Sequence, residues 1–531
     1  MIALTSFAGP FVPELVLLAA GLLVLLCDVV GLRRTEVVGA IAAAASSLAL
    51  LFVVADLGWA PLAAIRTLGA AQLDVVPASP TALYAFSSLG LVFQGVFLLA
   101  TIFVALASMS RRSDDRGAPI FFGLLLLATL GMLLVAIAAD LIFLLLSIEV
   151  TSIATYVMVG YTRKGVRSLE AAMKFYIIGA LSSTLSFFGV SLLYGAYGTT
   201  SLFAIRALVA AGSVGYPVLS LLGFGFLIAG LAFKTTLVPF HAWAVDVYDG
   251  APSEVSAYLS GASKKLGLFA LFLVFVGPIL YFGPGSTNLF SGGPVDLGPV
   301  LRLTFAVLAV VTMSVGNVLA LLQKEMKRML AYSSISQAGY LLLGLAIGTA
   351  PALAGATLQV FAHVFMKTGA FVVVAAAAGL GIGPLIDDWR GVGARRPLFA
   401  VAFGLMLLSL AGVPLTVGFV SKFVLFSAAV QAQGFYVWLA VAGLLNSALS
   451  LFYYGRVLKV MFFDDAAASA EPSGAVVGAA GPPVLGFGGL GYGRGTAIAA
   501  IAVAIVVFGV YPQPVLGAFQ SAATHFLATG A

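Results

Sequence analysis

Of 531 residues, 62% are hydrophobic and only 9% are charged, against roughly 25% charged in an ordinary soluble domain. Runs of about 20 apolar residues recur along the chain, which excludes a soluble globular protein and makes this a polytopic membrane protein. The formal net charge is +6. The single cysteine, Cys27, excludes an intrachain disulfide, a Cys-ligated zinc site and an iron-sulfur cluster on this chain.

No positive charge precedes the first apolar run, and Arg33 and Arg34 follow it, which predicts a retained helix with its start facing outward. In chain order, spans are expected near 11–30, 37–55, 82–107, 118–138, 141–160, 174–196, 217–239, 255–281, 300–322, 329–348, 353–379, 398–430, 435–462 and 496–512, about fourteen in all. The fold class is therefore all-α. The segments 1–110, 464–495 and 496–531 read as a three-helix start, a Gly/Ala-rich cytoplasmic loop and a last transmembrane helix, and 282–298 is a second Gly- and Pro-rich loop. Gly486 to Gly495 mimics a phosphate-binding glycine loop, but no strand precedes it and a span follows.

The basic residues give the orientation. Loops on one side hold eighteen of the 26, the other side holds only Arg66, Arg206 and Arg302, and five lie inside spans. The positive-inside rule then places the eighteen in the cytoplasm and both termini outside. The positive charge thus reports topology, and nucleic-acid binding is not needed to explain it.

The charges inside the spans carry the functional signal: Glu149, Lys234, the adjacent Lys264 and Lys265, and Lys422. At about 1.5 Å per residue, Glu149 lies roughly 13 Å beyond Asp140, Lys264 roughly 15 Å beyond Glu254, and Lys422 roughly 13 Å before Gln431. A charge at mid-membrane costs roughly 2.5–3.5 kcal/mol on insertion scales, so several together imply a function that needs them. Lys234 is nearer an end and can also snorkel to the surface. For the others a structural ion pair is the competing reading.

Two lysines stand beside helix breaks. Pro239 cannot donate to the Thr235 carbonyl, next to Lys234, and Pro414 cannot donate to the Leu410 carbonyl, eight residues before Lys422. Broken helices at membrane depth line polar cavities in transporters; packing kinks are the alternative. A buried lysine gives up its proton more readily than a solvated one, and a nearby carboxylate reverses this. A Glu149–Lys234 pair that opens and closes would load and release a proton, which Lys264 would pass through water toward Lys422. His241, Asp246, Asp249 and Glu254 form a polar patch with residue types that suit a metal, although a proton entry or loop anchor is favoured and no metal is assigned. His525 reads as solvated.

These residues sit in blocks with a family resemblance. Phe233-Lys234-Thr235-Thr236-Leu237-Val238-Pro239-Phe240-His241-Ala242-Trp243, followed by Asp246-Val247-Tyr248-Asp249-Gly250-Ala251-Pro252, resembles the seventh-helix signature of the antiporter-like membrane subunits of respiratory complex I, the NADH:quinone oxidoreductase. Lys327 to Tyr340 and Leu410 to Phe423 add two more blocks, and Pro13-Glu14-Leu15, Glu170 to Phe175 and Asp388-Trp389-Arg390-Gly391 point to subunit N. The resemblance covers nearly the whole chain. It implies two inverted five-helix repeats, at 118–281 and 299–463, with the seventh and twelfth helices broken. It implies proton translocation through Glu149, Lys234, Lys264 and Lys422, with Lys265 the alternative to Lys264.

His363 and Lys367, four residues apart, resemble the eleventh helix of sister subunits L and M and form either a relay or a packed polar pair. Lys265, His241, His363 and Lys367 are thus the possible relays. Gln337 stands where many members have histidine, and Pro414-Leu415 replaces a common double proline. Electron chemistry, with NADH, FMN, iron-sulfur clusters and quinone, would lie on partner subunits of the membrane and peripheral arms, in a cell inner (plasma) membrane. The alternatives are an Mrp-like cation/proton antiporter subunit, or the same subunit in a complex fed by a hydrogenase, ferredoxin or F420, a deazaflavin.

Overall fold

The computed structural model describes residues 9–67, 73–75, 81–110, 117–161, 165–211, 216–281, 297–464 and 486–529. Among the described residues thirteen helices are long and apolar enough to cross a membrane, and two shorter apolar helices, Pro397–Ala411 and Val417–Gln431, together occupy the place of one further crossing. The first four are α1 (Val12–Val29), α2 (Thr35–Asp56), α3 (Ser88–Met109) and α4 (Ala118–Ala136), which pack together. α5 (Leu141–Val159) starts where Asp140 accepts from the backbone N–H groups of Ile142 and Phe143 at 2.8 and 3.0 Å, donors that a helix start otherwise leaves unpaired. α6 (Val166–Tyr197) and the short α7 (Leu202–Ala210) follow.

The seventh span is broken. α8 (Pro217–Thr235) stops at Thr236, which has positive φ, and α9 (Ala242–Gly250) begins six residues on, after Pro239. α10 (Ser253–Tyr258) runs through a π turn at Leu259–Ser263 into α11 (Lys264–Tyr281). Then come α12 (Leu297–Leu321), α13 (Met326–Ile347), and α14 (Ala350–His363), which passes through a second π turn at Val364–Thr368 into α15 (Gly369–Gly379). The twelfth span is α16 (Pro397–Ala411) and α17 (Val417–Gln431), separated by Gly412 at φ 90° and by Pro414. α18 (Tyr436–Phe462), α19 (Tyr492–Val510) and α20 (Gln513–Thr529) complete the chain.

The central stretches of the eighth and eleventh spans are wholly buried in the bundle. Their π turns touch each other, and α3 packs against both. The centre of the protein is thus a contact between two locally widened helices, a geometry associated with functional sites.

Several boundaries differ from the sequence expectation. The helix expected from 82 starts at Ser88, because 81–87 runs extended beside the end of α4: Ala85 N–H donates to Ile137 O at 2.8 Å, and Ala139 N–H donates to Leu83 O at 2.9 Å. α6 starts at Val166 rather than 174, its polar first turns carried by Lys174 pairing with Glu170 and Asp246. The loop expected over 464–495 falls largely on 465–485, outside the described residues, and its end is already helical from Tyr492. The loop at 282–298 likewise lies outside them, except for its last two residues, which open α12. The final segment holds two helices rather than one: α20 packs Phe519, Ala522, Ala523 and Phe526 inward, against α3 and α14. The division into repeats remains an expectation from resemblance.

Candidate proton path

Glu149 on α5 and Lys234 in the last turn of α8 line one small cavity with Tyr156, Ser182 and Ser186. It has ≈ 20 Å³ in which a water centre can sit, room for about one water. Lys234 is 5% exposed and donates to Ser152 Oγ at 2.8 Å, and Ser183 donates its hydroxyl to Glu149. No direct ion pair joins the two charges, so each is held by its own serine across the cavity. The walls come close because Gly230 has no side chain: a Cβ there would lie 1.9 Å from Ser186 Oγ.

Beyond α8 the polar groups continue into the central pair of spans. Lys264 donates to Ser334 Oγ on α13 at 3.0 Å and lies 5.5 Å from the centre of the Tyr248 ring. Its neighbour Lys265 turns the other way, donating to the Ser260 carbonyl and lying 2.5 Å from His363 Nδ1. Lys367 donates to Leu330 O at 2.8 Å and to Ser333 Oγ at 2.6 Å, and Ser333 bonds the Tyr454 hydroxyl. Lys265, His363 and Lys367 are completely buried. His363 and Lys367 reach different partners: His363 meets Lys265 of α11, while Lys367, inside the π turn, meets Leu330 and Ser333 of α13.

At the twelfth span Lys422 donates to the carbonyls of Leu410 and Ala411, at 2.9 and 3.1 Å, and sits 4.8 Å from the Tyr340 ring centre. The Leu410 carbonyl also accepts from Gln337 at 3.2 Å; Gln359 donates to Gln337 at 2.9 Å, and Ser421 donates to Gln359. Gln337 thus keeps a place in the network although it cannot titrate. At the seventh-span break the geometry differs. The Trp243 indole N–H takes the Phe233 carbonyl at 3.2 Å, and Val238 N–H donates to Thr312 at 3.1 Å.

The polar patch expected from His241, Asp246, Asp249 and Glu254 separates into three places. Asp246 and Asp249 line an open cavity with Arg167, Glu170, Lys174, Glu325 and Arg328. Asp246 pairs with Lys174 at 2.8 Å and Arg328 at 3.3 Å. Burial works against its charge, but these cations outweigh that and hold its carboxyl below the usual range. Glu254 pairs instead with Arg494 of α19 at 2.8 Å, an arginine that sequence alone places in a loop. His241 opens α9, with a buried Nδ1 that has no partner. Among the described residues no three His, Cys, Asp or Glu side chains come together as a metal site. His525, expected to be solvated, lies 3.8 Å from Asp74.

The structure therefore brings Glu149 and Lys234 to one cavity, Lys264, Lys265, His363 and Lys367 to the centre, and Lys422 to the second break. Serines 152, 183, 333 and 334 and the Gln337–Gln359 pair join them. Sequence reasoning passed over Gln359 and these serines because isolated hydroxyls and amides in spans commonly bond their own helix.

A model of the family described as the NADH:quinone oxidoreductase/Mrp antiporter transmembrane family matches residues 138–450. F(420)H(2) dehydrogenase subunit N of Methanosarcina mazei is 40% identical over 85% of this chain and 88% of its own length. NADH-quinone oxidoreductase subunit N 2 of Sorangium cellulosum is 36% identical over 95% of each. Among solved structures, a chain of respiratory complex I from Thermus thermophilus with bound aureothin superposes with a TM-score of 0.72 at 27% identity, covering 96% of this chain and 99% of that one.

Proposed function

The chain belongs to the NADH:quinone oxidoreductase/Mrp antiporter transmembrane family, and from that premise we propose that it is the proton-translocating subunit N of a quinone-reducing respiratory complex. The observation that carries the reading is the run of buried lysines, each at a helix break or π turn and each held by a hydroxyl, a carbonyl or an imidazole rather than by a carboxylate. Such groups exchange a proton by shifting between an ammonium and a neutral amine within hydrogen-bond reach.

Glu149 and Lys234 form the loading end, Lys264 or Lys265 the centre, and Lys422 the far end, with His363 and Lys367 as the connection between them. Water in the Glu149 cavity would let the carboxylate approach or leave Lys234. Sodium is disfavoured, because ammonium groups repel it and Glu149 alone supplies few oxygen ligands. The basic ends of the helices face the cytoplasm, both termini face outward, and the membrane is the plasma membrane. The two halves of the path correspond to repeats at 118–281 and 299–463. This chain carries no redox group; NADH, FMN, iron-sulfur clusters and quinone reside on partner subunits of the membrane and peripheral arms, and the whole is a translocase.

The test is Lys234→Ala and Lys422→Ala in assembled complex, scored as protons moved per donor oxidised in sealed membranes. Retained pumping in both sinks the assignment. Sodium-dependent proton exchange without any electron donor would identify an antiporter instead. Identity to an F(420)H(2) dehydrogenase subunit favours a second donor, and isolating the complex and assaying it with NADH and with reduced F420 separates the two.

A further inference from the structure

One buried acid has no part in the lysine row. Glu14 is the third residue of α1 and is 4% exposed. Its Oε1 accepts from Gln94 Nε2 at 2.7 Å, and Gln94 also donates to the Leu133 carbonyl at 3.3 Å, joining α1, α3 and α4 at one point. The other oxygen, Oε2, is buried and meets no donor. Among the described residues no cation pairs with Glu14. The other carboxylate acting on it is Asp56 of α2, which is bound to the Thr67 N–H and hydroxyl, each at 2.6 Å.

An ionised carboxylate is acceptor-only and offers about four lone-pair sites, so one amide donor and an empty second oxygen leave its charge unsatisfied. A carboxyl with its proton on Oε2 fits the same place. Hydroxyls lead from here toward the centre. On α4, one turn from Leu133, Thr129 bonds Thr101 of α3 at 2.8 Å and the Tyr258 hydroxyl at 2.9 Å. Tyr258 immediately precedes the π turn that leads to Lys264 and Lys265. The break in this row is the single turn from Thr129 to Leu133, about 6 Å along the helix.

We infer that Glu14 is a second protonatable site of the pump, exchanging a proton between the hydroxyl row at Tyr258 and the water at the start of α1, with Gln94 positioning the carboxyl. This rests on the proton-translocating reading above. The step is a proton transfer only: the acid gives its Oε2 proton to water and regains one from the row, with no bond formed to carbon and no electron moved.

The experiment uses complete complex in sealed membranes carrying Glu14→Gln, Glu14→Asp or Gln94→Leu, with Lys234→Ala in parallel. Protons per donor oxidised and the redox-induced infrared difference spectrum are read together. The parent is expected to show a protonated-carboxyl band that disappears in Glu14→Gln and shifts in Gln94→Leu. The proton ratio should fall severalfold in Glu14→Gln and recover in part in Glu14→Asp. Parental pumping in Glu14→Gln overturns the inference whatever the spectrum, and reduced pumping with an unchanged carboxyl band also overturns it, since the loss is then one of packing. Should Glu14→Gln fail to assemble, the band shift in Gln94→Leu and pumping by Glu14→Asp decide: both present support it, and either absent overturns it. Full pumping by Lys234→Ala would instead bring down the functional reading itself.

Discussion

The ammonium of Lys422 takes the Leu410 carbonyl, at 2.9 Å, that Pro414 leaves without its helical donor. The break and the charge therefore support each other: the lysine satisfies a buried carbonyl, and the carbonyl holds the lysine in the path. Lys422→Ala leaves the Leu410 carbonyl to Gln337 and takes the ammonium donor from the Ala411 carbonyl, and an unsatisfied buried acceptor costs about 1–3 kcal/mol. Lys422→Arg separates structure from transport. A guanidinium keeps the donors but does not give up its proton in proteins. The expected outcome is assembled complex with pumping largely lost, measured as proton uptake by sealed vesicles. An arginine variant that pumps like the parent would make Lys422 purely structural.

Gly412 supports the same junction from the other side. Its φ of 90° disfavours any residue with a Cβ, and a methyl there would lie 3.1 Å from Lys422 Cδ. Gly412→Ala should lower thermal stability by roughly 1–3 kcal/mol through backbone strain and displace Lys422. Thermal denaturation of purified complex, together with its proton ratio, checks both effects.

Much of this arrangement is legible from residue order. The breaks at Pro239 and Pro414 follow from a missing N–H, and the expected depths of Glu149, Lys264 and Lys422 follow from helical rise. The partners are less so. That Lys234 meets Ser152 while Glu149 meets Ser183 depends on how α5, α6 and α8 rotate about their axes, and near-uniform apolarity around a membrane helix leaves little amphipathic signal to set that rotation. The π turns escape for a different reason: one extra residue in a turn changes no composition. At the second of them His363 meets Lys265 and Lys367 meets Ser333. Arg494 reads as a loop cation in the sequence because only the folded bundle brings Glu254 to it.

Lys265 and His363 lie in direct contact, at 2.5 Å. Two charges at such a distance repel strongly in a low-dielectric interior, which sets the pair to exchange a proton as a unit. Lys265→Met and His363→Leu should therefore each impair pumping, and the double substitution should cost little more than either alone, the non-additivity expected of residues acting as a unit. The parallel Lys264→Met resolves which lysine is central. If Lys264→Met abolishes pumping while Lys265→Met spares it, the path runs through Ser334 and the His363 branch is structural.

At the open cavity the sign of the pH effect follows from Asp246. Its carboxyl is held below the ordinary range by Lys174 and Arg328 despite partial burial. A depressed carboxyl contributes stability above its unfolded value and loses it as pH falls through the folded one. Asp246→Asn should thus weaken the complex slightly at neutral pH and make little difference once the medium is acid enough to protonate the parent. The effect should shrink in high salt, since these charges face solvent. Denaturation midpoints across an acid series, at two ionic strengths, measure it.

Glu254 and Arg494 form the contrasting case, an ion pair at 2.8 Å with both side chains largely buried, tying α19 to the central span. Arg494 also donates its backbone N–H to Ser110 Oγ at 3.1 Å, so the start of α19 is held by α10 through the side chain and by the end of α3 through the backbone. Removing one member strands a buried charge, typically at about 3–5 kcal/mol, whereas removing both removes the stranded charge too. Glu254→Gln and Arg494→Gln should each lower the yield of assembled complex, and the double variant should recover much of it. Native gels of solubilised membranes report the yield. Recovery in the double variant, with parental pumping per complex, would mark the pair as a tie between helices. Recovery of assembly without recovery of pumping would instead place it at the mouth of the route to Lys264 and Lys265, ten and eleven residues further along the same span.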